Sequence, residues 1–261
     1  MFLFLLLGLV WGATAHAGCI HDQVIKGRKL IPIDDRETGR GRLLQNSEYG
    51  PIRFHTLYDN KTVDASTTTG QNIRKMMNIL ELFWKKTLEV YYAPSLSFNV
   101  AEGFNPSDVS CLTFKVPQYI VQQPTPNADF GILVEAMDDG DSGVTAYSYP
   151  CAYSVSTRQP LWGLLHWNTN YFTFDLLSFQ MNIKIGIHES THILGFSSIL
   201  YPNFRHGKMV ETREAAYING SFMQQALQDQ YGCSGSSGML LESGGGPGTA
   251  NSHWSYKAAY N

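Results

Sequence analysis

His188-Glu189-Ser190-Thr191-His192 places two imidazoles four positions apart with a carboxylate between them. Imidazole nitrogens are preferred zinc ligands, and a carboxylate beside the metal can take a proton from water. On an α-helix, positions i and i+4 lie on one face, so both rings can reach one ion. The pattern H-E-x-x-H is that of helical zinc sites. The competing reading is a buried helix that merely carries two histidines. A strand would separate the rings by about 13 Å, beyond the span of one ion. Ile183, Ile185 and Ile187 alternate with Asn182, Lys184 and Gly186, which imitates a strand. Zinc and helix therefore stand or fall together.

The elements that must position these residues are legible on both sides. Asp175 can cap a helix that runs through Leu176, Leu177, Phe179, Ile183 and Ile187 into the motif. Gly195 lies three residues beyond His192, extending the pattern to H-E-x-x-H-x-x-G. Glycine there can end the helix in a left-handed turn and bring the chain back toward the metal. A third protein ligand is needed. The compact continuation would put a histidine at position 198, where Ser198 stands. The candidates are His206, His253, Glu211 and Glu214. A glutamate would complete a two-His, one-Glu site. Gly195 argues for a third histidine instead.

Gly248-Thr249-Ala250-Asn251-Ser252-His253-Trp254, preceded by Tyr231-Gly232-Cys233 and a glycine-rich bend, resembles leishmanolysin-type peptidases. These are a branch of the metzincins with a long insertion between the second and third histidines. Gly50-Pro51-Ile52-Arg53-Phe54, Phe114-Lys115-Val116-Pro117, Asp129 to Val134 and Ile218-Asn219-Gly220-Ser221 extend the resemblance over most of residues 50–261. It implies an α+β, metzincin-like zincin with a mixed twisted sheet, an active-site helix and a loop-rich, incomplete C-terminal lobe. It implies one Zn²⁺ held by His188, His192 and His253, Glu189 as general base, and His206 on the surface of the insertion. It also implies a Cys111–Cys151 disulfide and an unpaired Cys233. Cys19-Ile20-His21-Asp22 resembles the family's prosegment motif, whose thiolate could fill the open zinc position; the alternative is a free or disulfide-bonded cysteine with no such role. On that view a Cys19→Ala precursor is active without processing. The family's methionine turn falls about ten residues after the third histidine. Eight residues follow His253 and none is methionine, so the expectation is a chain cut before that element.

Phe2 to Val10 is almost wholly apolar, and Ala15-His16-Ala17 resembles a signal-peptide cleavage site. The apolar run is too short to span a bilayer. The expected organisation is a signal peptide at 1–17 and a prosegment at 18–48, released near Arg40-Gly41-Arg42. An N-terminal catalytic lobe follows at 49–196, and an insertion with the incomplete C-terminal lobe at 197–261. The expected location is secreted or cell-surface, with possible membrane association as in the family and no transmembrane helix in the mature chain. Export makes disulfides possible. Asn60-Lys61-Thr62 and Asn219-Gly220-Ser221 are glycosylation acceptors in a eukaryotic host. A net charge of −3 gives no pointer to nucleic acid.

Gly70 to Tyr92 reads as an amphipathic core helix, with Ile73, Met76, Met77, Leu80, Phe83, Trp84 and Leu88 at helical spacing. Ile132 to Glu135, Gly143 to Ser148 and Leu161 to Trp167 read as strands. The Gly143 to Ser148 strand, as a sheet edge, would hold an extended peptide by strand addition. Asp138-Asp139-Gly140-Asp141 reads as a plain turn, since it lacks a calcium-loop pattern. Together these readings imply a secreted zinc endopeptidase acting on protein or peptide substrates. The alternative is a catalytically impaired, truncated paralogue that acts as a binding or adhesion protein.

Overall fold

The computed structural model describes residues 19–35, 48–204, 207–212, 215–242 and 251–255. The signal-peptide stretch, Arg36 to Arg42, His206, Glu214 and the bend at 244–248 lie outside the described residues.

The architecture is mixed α/β. A short helix α1 (His21–Ile25) leads to strand β1 (Ile31–Ile33), and strand β2 (Phe54–Tyr58) precedes helix α2 (Thr68–Thr87). Strands β3 (Phe130–Met137), β4 (Ala146–Ser154) and β5 (Pro160–Asn168) then lead to helix α3 (Leu176–Leu194). The remainder comprises β6 (Lys208–Glu211), β7 (Ala216–Asn219), α4 (Ser221–Tyr231) and β8 (Met239–Leu240).

The main sheet has the order β1-β4-β5-β3-β2. Strands β2, β3 and β5 are mutually parallel, β4 is antiparallel to β5, and β1 is parallel to β4. β3 and β5 are buried along nearly their whole length, as expected of central strands covered on both faces. β6, β7 and β8 form a separate antiparallel sheet.

Helix α2 begins where Thr67 Oγ1 accepts from Gly70 N, and it buries Ile73, Met76, Met77, Leu80 and Trp84. It stops at Thr87, short of the expected Tyr92, because Glu89–Tyr91 pairs with Tyr49–Pro51 instead. The β-branched and aromatic run Val90-Tyr91-Tyr92 suits a strand better than a helix end. Strand β4 is longer than the alternation suggests, running to Ser154 through a register shift at Pro150–Ala152. A bulge accommodates the proline, which cannot donate to a ladder.

Helix α3 packs on α2, β4 and β5. This wide contact accounts for the alternating isoleucines, since Ile183, Ile185 and Ile187 all pack against the same core. Gly163 on β5 allows the close approach: a Cβ there would lie 2.4 Å from Ile193 Cβ. A smaller apolar cluster, including Tyr201, Ile218, Leu227, Leu241 and Trp254, forms a separate core in the C-terminal part. Cys111 and Cys151 form a disulfide, as the resemblance implies. Among the described residues, no helix is long and apolar enough to cross a membrane.

Candidate metal centre

Residues 188–192 occupy the last turns of α3. Asp175 caps the helix, its Oδ1 accepting from Leu177 N at 3.2 Å and Ser178 N at 3.1 Å. Gly195 ends it at φ 152°, a positive value that favours glycine without being the left-handed turn expected. Trp84 Nε1 donates to Ser190 Oγ at 2.7 Å, tying the motif to α2.

His253 arrives from the C-terminal part. Glu242 N donates to His253 O at 2.8 Å, and Leu241 bridges Trp254. Trp254 packs on Phe196, whose ring centroid lies 4.4 Å away. Ser252 Oγ accepts from Ser198 N at 3.1 Å, clamping the same segment to the chain beyond α3.

The result is a convergence of donor atoms. The ligand atoms of Cys19, His188, His192 and His253 all lie within 4.8 Å of one another. His188 Nε2 is 3.3 Å from both His192 Nε2 and His253 Nε2. Tetrahedral zinc with Zn–N bonds near 2.05 Å sets its nitrogen ligands about 3.3 Å apart. Cys19 Sγ lies 3.7 Å from His192 Nε2, against about 3.6 Å for a sulfur–nitrogen pair on the same ion.

The protonation of the rings suits a metal. Burial first, then His253 and His21, holds His188 down to about 3. Burial and the neighbouring His21, His188 and His253 hold His192 well below the usual imidazole range. These rings are neutral near pH 7, and a neutral ring carries one N–H. That of His192 is committed, since Nδ1 faces Phe196 O at 2.7 Å. Its Nε2 therefore keeps a lone pair directed into the cluster. The donor set fits zinc.

Glu189 is 2% exposed, and burial lifts its carboxyl to about 8 against the opposing effect of a hydrogen bond from Ser148. Ser148 Oγ donates to Glu189 Oε2 at 2.9 Å.

The N-terminal segment covers this cluster. The His21 ring stacks on His192 at 4.0 Å, and burial holds His21 down to about 3. Its Nδ1 donates to Ser148 O at 3.1 Å, so its Nε2 accepts from Ser197 Oγ at 2.7 Å. Ser252 Oγ donates to Asp22 Oδ1. Burial lifts the Cys19 thiol well above its usual range, with Glu189 adding to the effect. Further along, β1 pairs Ile31, Pro32 and Ile33 with Ala152, Tyr153 and Ser154. β1 thus covers β4 at residues 152–154, beyond the Gly143 to Ser148 stretch expected to be the edge.

Of the other ligand candidates, Glu211 is an exposed residue ending β6. His166 is buried between Glu135 Oε1 at 2.9 Å and Asp139 Oδ2 at 2.7 Å, away from the cluster. Ser148, Ser197 and Ser252 had no distinguishing signal in the sequence. Ser148 and Ser252 become neighbours of the motif only through contacts between distant segments.

The chain is similar to known proteins over this region. The model of the family described as Leishmanolysin matches residues 89–261. A leishmanolysin homolog of Crithidia fasciculata is 29% identical over 154 residues, covering 57% of this chain and 23% of that protein. Leishmanolysin of Leishmania tropica is 28% identical over 155 residues, covering 56% of this chain and 22% of its own length. The ciliated left-right organizer metallopeptidase of Xenopus laevis is 27% identical over 161 residues, covering 54% of this chain and 22% of its own. The chain thus spans under a quarter of the length of these relatives. The family match takes in the histidine-bearing helix and the segment that delivers His253, and on that basis the chain belongs to the leishmanolysin family.

Proposed function

We propose that this chain is a secreted or cell-surface zinc endopeptidase of protein substrates, with a metzincin-like site. The observation that carries the proposal is the convergence of His188, His192 and His253 with Glu189 beside them. Their Nε2 atoms would hold one Zn²⁺. A zinc ion held there would supply Lewis acidity toward water and a peptide carbonyl. Glu189 takes the proton from the attacking water at its carboxylate and returns it to the leaving amine. His192 is held in the ligating tautomer by Phe196 O. Backbone groups of β4 would pair with an extended peptide once the N-terminal segment leaves the edge.

Residues 19–35 would then be the inhibitory part of a prosegment. Cys19 Sγ occupies the fourth donor position, His21 fills the space above His192, and β1 covers the end of β4. The test is metal analysis and peptide hydrolysis by the full chain, before and after limited proteolysis within residues 36–47. The expected result is about one zinc per chain and hydrolysis that rises after cleavage. A folded, zinc-loaded, cleaved chain without hydrolysis would contradict the proposal and favour a binding or adhesion role.

A further inference from the structure

We infer that Ser148 is a positioning residue for the general base, holding the Glu189 carboxylate in its working orientation through a hydroxyl donated from the substrate-edge strand. The inference rests on the peptidase reading above and adds a residue to it.

The backbone places Ser148 for this role. Along β4 successive side chains alternate between the two faces of the sheet. Tyr147 stacks on His166 at 4.3 Å, and Tyr149 belongs to the core around Cys151, away from α3. Ala146 packs in the core that α3 shares. Ser148 therefore projects toward the helix, where it is fully buried and Oγ meets Glu189 Oε2 at 2.9 Å. Neither partner is flexible in its anchorage. The strand is hydrogen-bonded to β5 on one side, and the helix is locked by Trp84 to Ser190.

A glutamate side chain has three rotatable bonds, and a helix alone does not choose among its rotamers. A carboxylate has two oxygens and needs one to take a proton. Donation to Oε2 commits that oxygen and fixes the plane of the group, leaving Oε1 for the proton. The same residue presents its backbone carbonyl to His21 Nδ1 at 3.1 Å in the covered state. Departure of His21 frees the carbonyl without disturbing the hydroxyl. Ser148 thus joins the strand that would bind substrate to the group that would move the proton. A misplaced catalytic group can cost about a hundredfold in rate.

The experiment compares Ser148→Ala and Ser148→Thr with the unsubstituted full chain after the same limited proteolysis. Readouts are kcat and KM for a peptide, zinc content and thermal midpoint. Ser148→Ala is expected to lower kcat about 10- to 100-fold, with KM changed by less than about twofold. Zinc content stays unchanged, and the thermal midpoint falls by no more than a few degrees. Ser148→Thr, which restores a donor on a strand, is expected to recover most of kcat. A Ser148→Ala kcat within about twofold of the unsubstituted chain overturns the inference. So does a change confined to KM, or a loss of zinc or folding in Ser148→Ala, because each assigns Ser148 another role. If the unsubstituted, zinc-loaded chain does not hydrolyse peptide, the peptidase reading fails and takes this inference with it. If it does, and Ser148→Ala matches it, only the inference fails.

Discussion

At the scale of single residues, the candidate site combines features of very different legibility. His188 and His192 are readable because helical periodicity alone brings them to one face, and Glu189 lies between them, three positions before His192. His253 needed a resemblance, since sixty-one positions separate it from His192 and no local period connects them. Ser148 and His21 reach the site only through tertiary contacts across 41 and 176 residues respectively. No spacing rule covers such pairs. The choice of third ligand yields a clear prediction. His253→Ala should lose zinc, or bind it at least about tenfold more weakly, while Glu211→Ala, on the exposed end of β6, should keep it. Equilibrium dialysis against a chromogenic chelator measures both. Zinc retained by His253→Ala and lost by Glu211→Ala would reverse the assignment.

At the scale of elements, helix α3 is held by close packing as much as by its own propensity. Gly163 lets β5 lie directly under Ile193, one residue past the motif. Gly163→Ala should destabilise the fold by about 1–3 kcal/mol, because the Ile193 Cβ cannot move without moving the helix. Chemical denaturation reports this as a lowered midpoint; an unchanged midpoint would mean that the helix rides more loosely. The element least legible in the sequence is β1. Ile31-Pro32-Ile33 is short and contains a proline, and it becomes a strand only by pairing with the end of β4. Its presence changes what is expected of Cys19. Tyr149 Oη donates to Lys29 O at 3.0 Å, and Val155 N to Ile33 O at 3.0 Å, so the thiol is one contact among many. A Cys19→Ala precursor should therefore gain only a minor share, below about a tenth, of the activity that cleavage within 36–47 releases. Hydrolysis rates before and after cleavage test this. Full activity of the uncleaved variant would make the thiol the whole lock.

At the scale of the molecule, the histidines come from segments packed in two separate apolar cores. His188 and His192 extend from the helix packed in the main core, whereas His253 is carried beside Trp254 in the smaller one. A shared ion would therefore join those segments, and its binding energy would add to folding stability. At zinc a hundredfold above its dissociation constant, chelation should lower the thermal midpoint by roughly 5–10 °C. An unchanged midpoint would contradict a bridging ion. The mixed sheet was foreseen in outline, with its central strands marked by apolar runs. The strand that covers the end of β4 was not, because such pairing depends on tertiary contacts and not on composition. The central claim, that Glu189 beside a three-histidine zinc site hydrolyses peptide bonds, is tested most directly by one comparison. The hydrolysis rate of the cleaved chain is measured against Glu189→Ala at equal zinc content. The account predicts turnover in the former and a loss of at least about a hundredfold in the latter. Equal rates in the two proteins, or none in either, would contradict it.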